Sequence, residues 1–207
     1  MVTPRRSPYK KVEVRGLVWE GHDHQKQQGL VRNADQELNM VLNAFRDYSY
    51  NRLVSYASST ANLIILYYQG HGRIDKHGHL SLSNGNGQKI HWADIVNAIT
   101  NVKCDVLAIL NCYHAGAAIK SRVTSRPNYE KRVKQVMTAV PADLTSSWGT
   151  GTSFAACLEQ ALRDRRNNWE SPFKGIPYHW AQAINLIMKK KKPNTHGPAR
   201  TNGVVGS

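Results

Sequence analysis

Residues 61–72 (ANLIILYYQGHG) and 105–116 (DVLAILNCYHAG) decide how the chain is read. Each holds an uninterrupted apolar run rich in Leu, Ile and Val, without the alternation of a half-wetted sheet. That is the pattern of a strand covered on both faces. Each run then breaks into a short polar turn that contains a His and a Gly. In an open parallel sheet, ligand-binding and catalytic groups gather outside the carboxyl ends of neighbouring strands. The turns Gly70-His71-Gly72 and Asn111-Cys112-Tyr113-His114-Ala115-Gly116 are therefore where a site is expected.

Outward from these two strands the pattern is that of an α/β domain. Residues 12–19 (VEVRGLVW) read as a first strand. Residues 33–45 read as a helix, with Leu38, Val41, Leu42 and Phe45 recurring at helical spacing and Asn33 or Asp35 to cap it. Before residue 62 only 52–56 (RLVSY) has strand character. A parallel crossover needs about ten or more residues, so no helix is expected between Arg52 and Leu63. Two Asn-Gly pairs at 84–87 predict a hairpin between 79–83 and 88–90. His77, His79 and His91 then belong to a polar, solvent-facing excursion. A helix over 92–99, with Trp92, Ile95, Val96 and Ile99 on one face, leads into the 105–111 strand. Residues 115–120 begin a further helix, and 121–134 (SRVTSRPNYEKRVK) form a basic loop. A strand over 135–140 follows, then a helix over 152–164 that buries Phe154, Cys157, Leu158, Ala161 and Leu162. A last helix spans 177–188, with Trp180, Ala183, Ile184 and Ile187 on one face, stopped by Pro193.

With 207 residues, 41% of them apolar, one core suffices. The expected organisation is a flexible basic arm over 1–11, a single domain over 12–192 and a disordered tail over 193–207. Cys104, Cys112 and Cys157 are too few and too apolar in context for a disulfide framework. They suggest an intracellular protein of the cytoplasm or nucleus. No metal spacing appears; His22 and His24 lie in a polar loop without a partner cluster, and no cofactor is expected. Neither a signal-peptide core nor an apolar run long enough to span a membrane is present, so no membrane partner is expected. The net charge is +14, unevenly placed: residues 1–118 hold 13 Lys and Arg against 9 acids, and residues 119–207 hold 15 against 5. Lys189, Lys190, Lys191 and Lys192 make the densest basic run. A nucleic acid is one partner such a balance invites, and a solvated basic face is the simpler account.

The two strand ends resemble the caspase-like cysteine peptidases, in particular the metacaspase-type domains of fungi. In that family one core strand ends in Gly-His-Gly, whose His is the catalytic base. The next ends in Asp-x-Cys-x-(Ser/Ala)-Gly, whose Cys is the nucleophile. The resemblance covers residues 12–164 and implies a caspase-like sandwich, a mainly parallel central sheet flanked by helices on both faces. It places His71 on the base and Gly72 beside it as an oxyanion donor. Aligned on Ala115-Gly116, Asn111 takes the place of the substrate-binding Asp, and Tyr113 that of the nucleophile. Cys112 stands one residue early.

Peptide hydrolysis by this machinery needs a thiolate, a base and oxyanion donors. A tyrosine phenol, with a pKa of about 10 on a rigid ring, does not replace the thiol. Neighbouring side chains of a strand point to opposite faces. Cys112 therefore reaches His71 only if the strand bulges by one residue. Asn111, being neutral, also lacks the charge that would hold a substrate Arg or Lys. The favoured expectation is a catalytically deficient domain kept for binding a protein partner or for regulation. An active endopeptidase with a Cys112–His71 dyad is the alternative. A nucleic-acid-associated protein using its basic C-terminal half is a third.

Overall fold

The computed structural model of the protein describes residues 11–19, 34–52, 62–84, 87–120, 134–140 and 153–167. Four parallel strands form the main sheet: β1 (Lys11–Leu17), β2 (Asn62–Gln69), β6 (Asp105–Asn111) and β7 (Lys134–Thr138), in the order β1-β2-β6-β7. The two apolar runs thus lie side by side, with Leu63 opposite Asp105 and Gln69 opposite Asn111. A second, antiparallel sheet contains β3 (His71–Ile74), β4 (Leu80–Ser83) and β5 (Lys89–His91). The helices are α1 (Ala34–Arg52), α2 (Trp92–Thr100) and α3 (Phe154–Asn167), with a 3-10 helix at Ala115–Lys120.

The period of two along β2 and β6 divides the interior between two cores. Leu63, Ile65, Tyr67, Leu107 and Ile109 face one side, where Leu38, Val41 and Phe45 of α1 and Leu158 and Leu162 of α3 cover them. Tyr68, Val106, Ala108 and Leu110 face the other, against Trp92, Val96 and Ile99 of α2 and Ala117 and Ala118. Helices therefore flank both faces. Each fully buried Leu, Ile or Phe contributes about 1.5–3 kcal/mol, so continuous apolar strands are what a sheet covered on both sides requires. Trp92 is 1% exposed and satisfies its indole N–H on the Ala118 carbonyl, 3.2 Å away, which ties α2 to the 3-10 helix.

Several boundaries differ from the sequence reading. Lys11, assigned to the flexible arm, is the first residue of β1 and pairs with Asn62. The helix expected over 33–45 continues to Arg52, so the strand proposed at 52–56 loses its first residue to α1. Its remainder, and the expectation of no helix before Leu63, fall at residues outside those described. The hairpin gains a third strand, because His71–Ile74, read as a turn, pairs with β4. Residues 115–120 form a 3-10 helix in place of an α-helix start. The last strand spans 134–138, not 135–140, and α3 runs from Phe154 to Asn167. The 121–133 loop, the 177–188 helix, the His22–His24 loop, the Lys189–Lys192 run and the 193–207 tail also lie outside the described residues. Among the described residues, no helix is long and apolar enough to cross a membrane.

Candidate functional site

The pairing of Gln69 with Asn111 ends β2 and β6 at the same level of the sheet, and the Gly70 N–H donates to the Asn111 carbonyl at 3.4 Å. The two turns that follow are therefore neighbours. The rings of His71 and Tyr113 meet edge to face, with centroids 5.9 Å apart and planes at 61°. Both side chains are half-buried. At the next residue, His114, the backbone has φ 56°, a left-handed conformation that costs a non-glycine residue and is concentrated at tight functional turns. It lets the chain reverse into the 3-10 helix, whose first hydrogen bond runs from the Ala117 N–H to the His114 carbonyl at 2.9 Å.

Cys112 faces elsewhere. It is fully buried among Tyr68, Leu80, Leu82, Trp92 and Ala115. Burial pushes its thiol up to about 12 from an ordinary 9.0, so the thiolate is scarce at neutral pH. Gly72 packs directly on this turn. A Cβ there would come within 2.0 Å of the Tyr113 carbonyl oxygen and 2.9 Å of the Cys112 sulfur. Only a glycine permits that approach.

Tyr67 and Tyr68 stand next to each other just before the Gly70-His71-Gly72 turn. Both are buried, one on each side of the sheet. The Tyr68 hydroxyl lies 2.9 Å from the His71 carbonyl and 3.4 Å from that of Ser83. It thereby holds the start of β3 and the end of β4 over the sheet edge. Desolvation raises the pKa of both phenols.

Asn111 does not line an open pocket in the described residues: it is 2% exposed. Its Nδ2 donates to Gln69 Oε1 at 2.8 Å and to the Tyr67 hydroxyl at 3.1 Å. Tyr67 in turn donates to the same Gln69 oxygen at 2.9 Å. Gln69 Nε2 donates to Glu37 Oε2 of α1 at 3.0 Å, and the Ser153 hydroxyl donates to Glu37 Oε1 at 2.5 Å. Ser153 also caps α3, accepting from the Ala156 N–H at 3.2 Å. A chain of buried polar groups thus joins α1, β2, β6 and the start of α3 beneath the site. Among the described residues the Oδ1 atom of Asn111 has no hydrogen-bond partner.

The described residues therefore bring together His71, Gly72, Cys112 and Tyr113, and set Asn111 one layer deeper. Glu37, Gln69 and Ser153 were not anticipated as part of this region. Asp75 accepts the N–H groups of His77 and His79 in its own turn. Those hydrogen bonds hold its pKa low.

The buried acids imply an alkaline limit to stability. Cys112, Tyr67 and Tyr68 are all raised in the fold. Below about pH 8 they are protonated in both states and their contribution is fully present. Above that the unfolded chain loses protons first, and the contribution drains away as pH rises towards the folded values. The denaturant midpoint should fall steadily from about pH 9 to about pH 11, and less steeply in Cys112→Ala; a flat midpoint contradicts this.

No protein-family model matches the chain, and no curated protein matches it.

Proposed function

We propose that the chain is a caspase-like domain that has lost peptidase chemistry and serves as a protein-binding or regulatory module. The caspase-like sandwich belongs to the same proposal. One observation carries it. At the adjoining ends of two parallel strands a phenol, Tyr113, meets the imidazole of His71, while the nearest thiol, Cys112, is fully buried. A base without a reachable thiolate does not start acyl transfer. The raised pKa of Cys112 compounds this, because nucleophilic cysteines have lowered values and partial exposure.

The purified protein should not hydrolyse reporter peptides ending in Arg, Lys or Asp, with or without calcium. A cysteine-reactive peptide electrophile should leave Cys112 unlabelled. Tyr113→Cys places a thiol opposite His71 and should produce slow labelling. Adding Asn111→Asp returns the pocket carboxylate and should bring slow cleavage after basic residues, at a cost in stability because that carboxylate faces the Gln69 acceptor at 2.8 Å. Cys112→Ala should change packing alone. Cleavage by the natural protein that Cys112→Ala abolishes would make Cys112 the nucleophile and overturn the proposal.

A further inference from the structure

β1 is an edge strand. It pairs with β2 on one side and, among the described residues, with nothing on the other. Such an edge presents unpaired N–H and C=O groups that template pairing with another strand. Its register against β2 sorts its side chains. Val12 and Val14 lie opposite Leu63 and Ile65 and pack against the core beneath α1. Lys11, Glu13 and Arg15 therefore share the opposite face. There Glu13 makes ion pairs with Lys11, at 3.5 Å, and with Arg15. Leu17, the last residue of the strand, and Val18 just after it, at 37% and 40% exposure, leave apolar surface in water.

The geometry points to a second copy of this chain as the occupant of that edge, paired antiparallel about a two-fold axis at Val14. In this register Glu13 of each copy stands opposite Arg15 of the other, and Lys11 opposite Leu17. Opposite charges directly across a strand pair stabilise it, and like charges do the reverse. The aliphatic stem of Lys11 covers the exposed Leu17 while its ammonium stays in water. A shift that centres the axis on Glu13 instead sets Glu13 against Glu13 and Lys11 against Arg15. The charge order along β1 thus selects one self-pairing register and disfavours its neighbour. The two main sheets would then continue through both copies, an isologous contact of the kind closed dimers use. This inference is independent of the chemistry at His71.

The test is the association state of the full chain by analytical ultracentrifugation. The natural protein should dimerise with rising concentration, less so at high salt, because exposed pairs are screened. Glu13→Arg and Arg15→Glu, each folded by circular dichroism, should raise the dimer Kd about tenfold or more. Each replaces two attractive cross-strand pairs with two repulsive ones. Mixing the two variants should restore association, since every cross-strand pair becomes opposite in sign, and so should the double exchange in one chain. A natural protein monomeric at all concentrations would overturn the inference. So would a dimer whose Kd ignores both single variants, or one whose mixture fails to recover. Monomers whose outward-pointing β1 amides exchange freely would likewise overturn it and leave the edge open to a strand of another protein.

Discussion

Gly72→Ala is expected to lower the Tm by roughly 6–12 °C, because overpacking of this severity costs about 3 kcal/mol and a chain of this size loses about 2–4 °C per kcal/mol. The added methyl would sit 2.0 Å from the Tyr113 carbonyl oxygen, a backbone atom with no rotamer to escape into. Relief requires prising β3 from the end of β6, and both are held. β3 is paired to β4 along its length and tethered through the Tyr68 hydroxyl, while Cys112 is locked in the core. Gly16→Ala is the control. There the new Cβ meets only the methyl ends of Leu38 and Leu42, at 2.9 and 3.0 Å, which can rotate aside. Differential scanning calorimetry of the two variants checks the contrast. Equal losses in Tm would mean that the close approach at Gly72 is not a constraint.

Glu37→Leu should be as costly by a different route. It preserves volume and removes both acceptors at once, so Gln69 Nε2 and the Ser153 hydroxyl each lose a buried partner. An unmet buried donor costs about 1–3 kcal/mol, so a loss of roughly 2–6 kcal/mol is expected. The Ser153 cap of α3 loosens with it, since the same hydroxyl also accepts from Ala156. Glu37→Gln keeps one carbonyl acceptor and should cost less than half as much. Urea midpoints for the two variants measure this, and a neutral Glu37→Leu would show that the polar chain contributes no net stability. Removing all the polar members together, with apolar replacements of matching shape, should cost less than Glu37→Leu alone.

The two central strands of the main sheet, β2 and β6, were legible because burial on both faces leaves a local trace, an unbroken apolar run. The juxtaposition of His71 with Tyr113 followed, because two such runs in parallel must end side by side. β3 left no trace: His-Gly-Arg-Ile has neither alternation nor an apolar run, and its conformation is imposed by β4 and the Tyr68 hydroxyl. The positive φ of His114 was equally hidden, since nothing marks a histidine for the left-handed region. Least visible was the role of Glu37. Its partners lie 32 and 116 residues away along the chain, and in the helix pattern it is simply one of two acids in the first turn of α1. Asn111 was singled out by the motif, but its depth depends on Tyr67 and Gln69 across the strand pair, which no local pattern reports.

The three cysteines have a use that none of them has in chemistry. Cys104 and Cys112 lie in the core beneath α2, and Cys157 lies in the core beneath α1 and α3, all three buried and reduced. The sheet separates them. A thiol reagent can reach each only when the layer above it lifts, so the labelling rate of each sulfur measures the opening free energy of its own side. The protein thus carries built-in gauges for two halves of its interior, and a partner that grips one face should slow one gauge and leave the other running.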